Sequence, residues 1–267
     1  MQAKIPDASF YKVIKECEPE INCVWIPGWG GTAWTLRPII ERMGFGTHYL
    51  IDPIHARQLE KGHCLSIEDM VQAILQGLDK EISSFHLIGI SMGGLIAQVL
   101  ASTFPRKVRS LHLCCTNTGG FGGHKPINSE TAKLWHAPPQ KGDDPVRRIL
   151  ERCVSPDFAA TGEFLDYLEH CRKTPNPVTG RTLKMQWEAI ANFHAAPYLG
   201  SIRIPSFLYE GSADKVVAKG EKELITRYLN TISNHIINGG HLFFLESSKE
   251  FESLLKLNIQ TSINLTE

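Results

Sequence analysis

Long hydrophobic runs are missing from the 267-residue chain. No stretch approaches the roughly 18 apolar residues that a bilayer-spanning helix requires, which excludes such a helix. A surplus of either charge is also missing, since Lys plus Arg and Asp plus Glu each number 28. Binders of nucleic acid or anionic membranes normally carry a basic excess, so neither class is favoured, although a local basic patch stays open. The seven cysteines (Cys17, Cys23, Cys64, Cys114, Cys115, Cys153, Cys171) include no C-x-x-C pair, which argues against a zinc site or a redox motif. Most of them read as small buried hydrophobes in a reducing compartment. Residues 1–7 lack the apolar core of a signal peptide. Neither G-x-x-x-x-G-K-[ST] nor H-E-x-x-H occurs, and no cofactor or catalytic metal is expected. These absences together predict a soluble, cytoplasmic protein.

What is present is an ordinary globular composition, 42% apolar and 21% charged. Phe10–Ile14 reads as a short edge strand, Ile21–Ile26 as a buried strand, Trp34–Met43 as a helix with Pro38 near its start, and His48–Ile51 as a second strand closed by Asp52-Pro53. The clearest helix spans Ser66–Glu81, where Ile67, Met70, Val71, Ile74, Leu75 and Leu78 recur at helical spacing. Ser66 and Asp69 resemble a capping box at its start. The apolar run Phe85–Ile88, a helix ending near Phe104-Pro105, and the strand Val108–Cys115 follow. Strands alternating with helices imply right-handed crossovers and a mostly parallel sheet, with ligands bound at the carboxyl ends of the strands. After a Gly-rich stretch, residues 129–199 show helical segments around Pro145–Cys153, Gly162–Cys171 and Leu183–Phe193 without a convincing strand, an insertion expected to cover the crevice. The alternation resumes with a strand over Pro205–Tyr209, a helix over Gly220–Leu229, a strand over Asn234–Ile237 and a helix from Ser248 to about Ile259.

Chemistry concentrates at three strand ends. Gly89-Ile90-Ser91-Met92-Gly93, between an apolar strand and an apolar helix, has the pattern of a nucleophile elbow, a sharp turn that lifts one hydroxyl clear of the sheet. Serine is a weak nucleophile and needs a base, which in turn needs an orienting acid. Asp214 lies just past one later strand and His241 just past the last, in the order Ser, Asp, His. Each has an ordinary structural reading as well: Asp214 as a turn or cap residue, His241 as one of eleven histidines. His86 and His112, inside strands, are better examples of structural histidines, while His55, His63, His124 and His194 fall in loops or caps. Asp52 also ends a strand but precedes Ser91, which makes it a weaker acid candidate.

On Pro27-Gly28-Trp29-Gly30-Gly31, Gly89–Gly94, Gly211-Ser212-Ala213-Asp214 and Gly239-Gly240-His241, the chain resembles the α/β-hydrolase superfamily over nearly its whole length. Within it, the likeness is to the small carboxylesterase, enol-lactonase and pimeloyl-carrier-protein methyl esterase group with a helical cap. The resemblance implies a mostly parallel sheet flanked by helices, a core of residues 1–118 and 201–267, and a cap of residues 119–200. It also implies an oxyanion hole made by the backbone N–H groups of Trp29 and Met92, with the Trp29 ring walling the acyl pocket. Trp29, Phe121, Trp187 and Phe243 are the residues expected to touch substrate. Two departures stand out: Pro27 replaces the usual His before Gly28, as in type II thioesterases, and the loop after Asp52 reads His55–Glu60 where the family is commonly Gly-rich.

The implied activity is carboxylic-ester hydrolysis through an acyl-serine. The alternative is an ester or thioester carried by an acidic acyl carrier protein, docked on Arg147, Arg148 and Arg152 of the cap. C–C bond hydrolases, perhydrolases, hydroxynitrile lyases and a non-catalytic ligand receptor share the arrangement and stay open. Serine at the nucleophile position argues against haloalkane dehalogenase or epoxide hydrolase chemistry, which the family performs with Asp.

Overall fold

A computed structural model describes residues 9–52, 64–78, 82–138 and 140–265. Seven strands form one sheet: β1 (Ser9–Ile14), β2 (Asn22–Ile26), β3 (Thr47–Asp52), β4 (Phe85–Ile90), β5 (Val108–Cys114), β6 (Ser206–Gly211) and β7 (Ser233–Ile237), in the order β1-β3-β2-β4-β5-β6-β7. Only β1 runs antiparallel to its neighbour, β3; the other five pairings are parallel. Parallel strands covered on both faces bury most of their side chains, which is why β2 and β4 are near-continuous apolar runs in the sequence, broken only by Asn22 and His86. Alternation divides them between two cores: Val24, Ile26 and Leu87 face one side, Trp25, Ile88 and Ile90 the other.

Helices α2 (Ile67–Leu78), α3 (Met92–Thr103) and α10 (Glu221–Tyr228) pack on the first face; α1 (Ala33–Arg42), α11 (Phe243–Glu246) and α12 (Ser248–Asn264) pack on the second. Helix α2 starts as expected: Asp69 N–H donates to Ser66 Oγ at 3.0 Å, and Ser66 N–H to Asp69 Oδ2 at 3.0 Å. Residues 79–81 of the expected helix lie outside the described residues, as do His55–Glu60 and His63.

Between β5 and β6 lie a 3₁₀ turn at Phe121–Gly123 and helices α4 (Ser129–His136), α5 (Pro145–Cys153), α6 (Pro156–Ala159), α7 (Gly162–Arg172), α8 (Gly180–Asn192) and α9 (Ala196–Leu199). Three of these, α4, α6 and α9, are not among the helical segments expected from periodicity. At four to eight residues they are too short to repeat an apolar stripe, and the N-terminal signals of α4 and α6 are local: Asn128 accepts from Glu130 and Thr131, and Ser155 from Phe158.

Pro38 sits in the second turn of α1, not its first, because the helix begins at Ala33 behind a Thr32–Thr35 capping box. A proline inside a helix cannot donate to the carbonyl four residues back. The carbonyl released is that of Trp34, and His170 on α7 donates its Nε2–H to it at 2.8 Å. Trp34 returns an indole N–H to the His170 carbonyl at 3.0 Å, and the two rings stack 4.6 Å apart. A sequence feature that normally weakens a helix thus becomes the docking point for α7.

Candidate active site

Parallel pairing places the ends of β2, β4, β6 and β7 along one edge, and each is followed by a loop bearing a residue singled out in the sequence. Ser91 follows β4 with φ 52° and ψ −116°, a left-handed backbone that costs a non-glycine residue about 1–3 kcal/mol. Its surroundings hold it there: Ser91 N–H donates to the Cys114 carbonyl at 2.8 Å, and the Ser91 carbonyl accepts from Thr116 Oγ1 at 2.7 Å. Gly93 is required because a Cβ there would lie 2.2 Å from the Ile26 carbonyl oxygen. Helix α3 can cross β2 at that distance only without a side chain.

Asp214 follows β6 and His241 follows β7. His241 Nδ1 and Asp214 Oδ2 are 2.8 Å apart, while Asp214 Oδ1 accepts from Val216 N–H at 2.7 Å and Val217 N–H at 3.2 Å. Desolvation alone would raise the Asp214 pKa, but the His241 charge and these hydrogen bonds bring it below the ordinary value. Desolvation alone would lower that of His241, yet the Asp214 carboxylate, with the Cys115 thiol, holds it well above 6.5. The His241 loop is itself anchored: Glu246 accepts from Gly240 N–H at 2.7 Å and from Ser155 N–H of the insertion at 3.1 Å. No motif marks Glu246 in the sequence, since its partners are backbone groups brought together by folding.

Ser91 and His241 line one cavity of about 230 Å³. Ser91 Oγ has no hydrogen-bond partner among the described residues, His241 included; such bonds often tighten only when substrate binds. The wall combines the 27–31 loop with Trp135, Ile149, Leu150, Leu183 and Trp187 of the insertion and with Leu242 and Phe244. Apart from His241, no Lys, Arg, Asp, Glu or His side chain stands among the described lining residues. Trp29 stacks on Trp135 with ring centroids 5.0 Å apart and meets Trp187 edge-on at 5.6 Å.

Of the four residues expected to contact substrate, Trp29 and Trp187 line the cavity. Phe121 does not: it is 59% exposed and stacks on His194. Phe243 is fully buried against Phe244 and Phe251, on the sheet side of α11, and the neighbouring Phe244 takes the wall position instead. One residue's offset on a helix turns a side chain through about 100°, which spacing from His241 does not resolve. The backbone N–H groups of Trp29 and Met92 have no internal acceptor among the described residues.

Arg147, Arg148 and Arg152 are engaged within the insertion, with Glu151 at 2.6 Å, Asp143 at 2.7 Å and Glu130 at 3.4 Å respectively. Asp52 accepts from Ala33 N–H at the start of α1, far in role from His241. His124 pairs with the buried Glu221.

The family model of the α/β hydrolase fold matches residues 7–248. The chain belongs to the α/β-hydrolase fold family. A poly(3-hydroxyalkanoate) depolymerase from Ectopseudomonas oleovorans is 23% identical over 66% of this chain and 60% of its own length. A pimeloyl-[acyl-carrier protein] methyl ester esterase from Yersinia enterocolitica is 32% identical over 52% of each chain. The matched regions thus span between about half and three fifths of these relatives. Among solved structures, an esterase from Exiguobacterium antarcticum superposes with a TM-score of 0.76 at 15% identity, covering 95% of both chains, a likeness of fold. No helix among the described residues is long and apolar enough to cross a membrane.

Proposed function

We propose that this α/β hydrolase cleaves carboxylic esters of neutral, apolar acyl groups through an acyl-enzyme on Ser91. The observation that carries the reading is a serine on a strained turn, facing a cavity with no Lys, Arg, Asp, Glu or His among its described lining residues other than the Asp-paired histidine. His241 takes the Ser91 proton through Nε2 as Oγ bonds to the ester carbonyl carbon. The Trp29 and Met92 N–H groups receive the developing oxyanion. His241 then gives its proton to the departing alkoxide, and the C–O bond breaks to leave the acyl-serine. A water molecule, deprotonated by the same histidine, adds to that ester, and His241 returns the proton to Ser91 Oγ as the acyl–oxygen bond breaks and the acid leaves. Asp214 fixes the Nδ1–H tautomer and stabilises the imidazolium at each stage. Residues 119–200 act as the cap over this site, since their side chains close one side of the cavity.

Ser91→Ala is expected to lower turnover of p-nitrophenyl esters by about 10⁶-fold, as removal of a triad serine does elsewhere, with an unchanged circular dichroism spectrum. Undiminished hydrolysis in that variant sinks the proposal. Labelling of Ser91 by a fluorophosphonate separates this enzyme from a non-catalytic receptor on the same fold.

Likeness to the Yersinia esterase favours a second reading, an acyl ester or thioester on a carrier protein. The cap arginines do not add to it, because Arg147, Arg148 and Arg152 each face an acid of the insertion. Comparing kcat/KM for a carrier-linked acyl ester and the same acyl group on methanol decides between the two. A preference for the carrier that survives Arg148→Glu places its recognition elsewhere than these arginines.

A further inference from the structure

Helix α8 reaches the loop that bears Trp29 with more than apolar contact. Gln186, 2% exposed, accepts the Gly30 N–H on its Oε1 at 3.0 Å. The donor is a backbone N–H, so the contacting amide atom is the oxygen. One turn earlier, the Leu183 carbonyl accepts the Trp29 indole N–H at 2.8 Å. Residues three apart share one helix face, so α8 grips residue 29 through its side chain and through the peptide that follows it. The approach is close. Gly30 has φ +71°, and a Cβ there would lie 2.9 Å from Leu183 Cδ2.

Beyond this grip, Gly31 N–H donates to the Gly28 carbonyl at 3.0 Å and Thr32 N–H to Thr35 Oγ1 at 3.0 Å. Three successive N–H groups after Trp29 are therefore committed, and the Trp29 N–H itself is left without an internal acceptor among the described residues. Two of these ties are internal to the loop and α1. Only the Gly30 tie comes from the insertion.

We infer that Gln186 is a positioning residue for ester hydrolysis: from the cap it orients the 28–31 loop so that the Trp29 N–H is aimed at the oxyanion. The oxyanion site is then assembled only while α8 is seated on the loop. The inference rests on the serine-hydrolase reading, because it needs an oxyanion to stabilise. It specifies a pattern that a purely structural role does not. A positioning defect slows both acylation and deacylation, since each passes through an oxyanion at the same place. A loss of fold lowers the active fraction, and a loss of binding contact weakens substrate affinity; neither slows both chemical steps.

Full-length Gln186→Met, which lacks an acceptor, and Gln186→Asn, whose amide is too short to reach, are compared with the parent in stopped-flow hydrolysis of p-nitrophenyl butyrate. Acylation and deacylation rate constants are expected to fall together by about 10- to 100-fold, the range set by misplacing or losing one oxyanion donor. Burst amplitude per folded molecule and substrate affinity are expected to hold. Parent-like rates, or a loss confined to amplitude or to affinity, overturn the inference, and if one variant does not fold the other decides. A parent protein without a burst and without fluorophosphonate labelling at Ser91 overturns the hydrolase reading and this inference with it, whereas a normal parent with indifferent variants overturns the inference alone.

Discussion

The ion pair of His241 with Asp214 sets the pH at which Ser91 can be activated under the proposed mechanism. Because the His241 pKa lies well above 6.5, the neutral base becomes scarce as pH falls through that raised value. The rise of kcat/KM with pH is therefore expected to be centred above pH 6.5 in the parent. Asp214→Asn removes the carboxylate that does most to raise the pKa and leaves burial, which lowers it, opposed only by the Cys115 thiol. Its acid limb is expected at lower pH, with kcat reduced by about 10⁴-fold because the imidazole is no longer held in the useful tautomer. A full pH–rate profile of both proteins checks the sign. Ser91, Asp214 and His241 were each legible in the sequence because a sharp turn at a strand end leaves a local pattern. Phe244, Glu246 and Gln186 left none, since what they touch is backbone or cavity supplied by distant segments.

The strands carry a buried polar chain beneath the site. His86 Nδ1 meets Ser110 Oγ at 2.7 Å, Ser110 Oγ meets His112 Nε2 at 2.8 Å, and His112 Nδ1 meets Tyr209 OH at 2.9 Å. Asn258 of α12 then links Tyr209 OH at 2.7 Å to His235 Nε2 at 2.9 Å. The chain crosses β4, β5, β6 and β7, and its histidines are held neutral. Burial brings His86 down to about 4 and His112 well below 6.5, and it lowers His235 as well. His48, bonded to Trp25 Nε1 at 2.9 Å, is likewise pushed down to about 4 by burial. Between pH 6.5 and 4 the unfolded chain binds protons that folded His48 and His86 refuse, so their contribution to stability is complete above pH 6.5 and lost on acidification. His48 and His86 are each expected to forfeit roughly 3 kcal/mol by pH 4, read as a falling midpoint of urea unfolding. Replacing His86 with a neutral residue of similar size is expected to flatten that slope. In the sequence His86 and His112 are recognisable as structural histidines by their strand positions. Their link through Ser110 is not, because register between strands decides which side chains meet.

Taken as a whole, the molecule encloses the candidate nucleophile in a space shared by the sheet edge and the insertion. A charged group entering that space finds no opposite charge on the described walls, other than His241 itself. At a pH where His241 is neutral, burying an unpaired carboxylate costs several kcal/mol, so a neutral diester is there expected to exceed its half-ester acid in kcat/KM by about 100-fold or more. A chain-length series of paired methyl esters with and without the free acid measures this. Equal rates for the two members show that the acyl group lies outside the cavity.

The alternation of apolar strands and helices, the elbow pattern at Ser91 and the order of Asp214 and His241 are features of the sequence alone, because each is read from local patterns along the chain. That Asp214 and His241 meet was decided by the pairing of β6 with β7. The division of residues 129–199 into helices was legible only where an apolar stripe repeated, as in α5, α7 and α8. Which of their side chains reach the site was decided by tertiary packing. Pro38 frees a carbonyl that only the folded chain brings to His170, and Gly30 is left without a side chain where α8 comes to rest. Contacts of this kind join residues more than a hundred positions apart, at Trp34 and His170 or Gly30 and Gln186, and no local pattern encodes them.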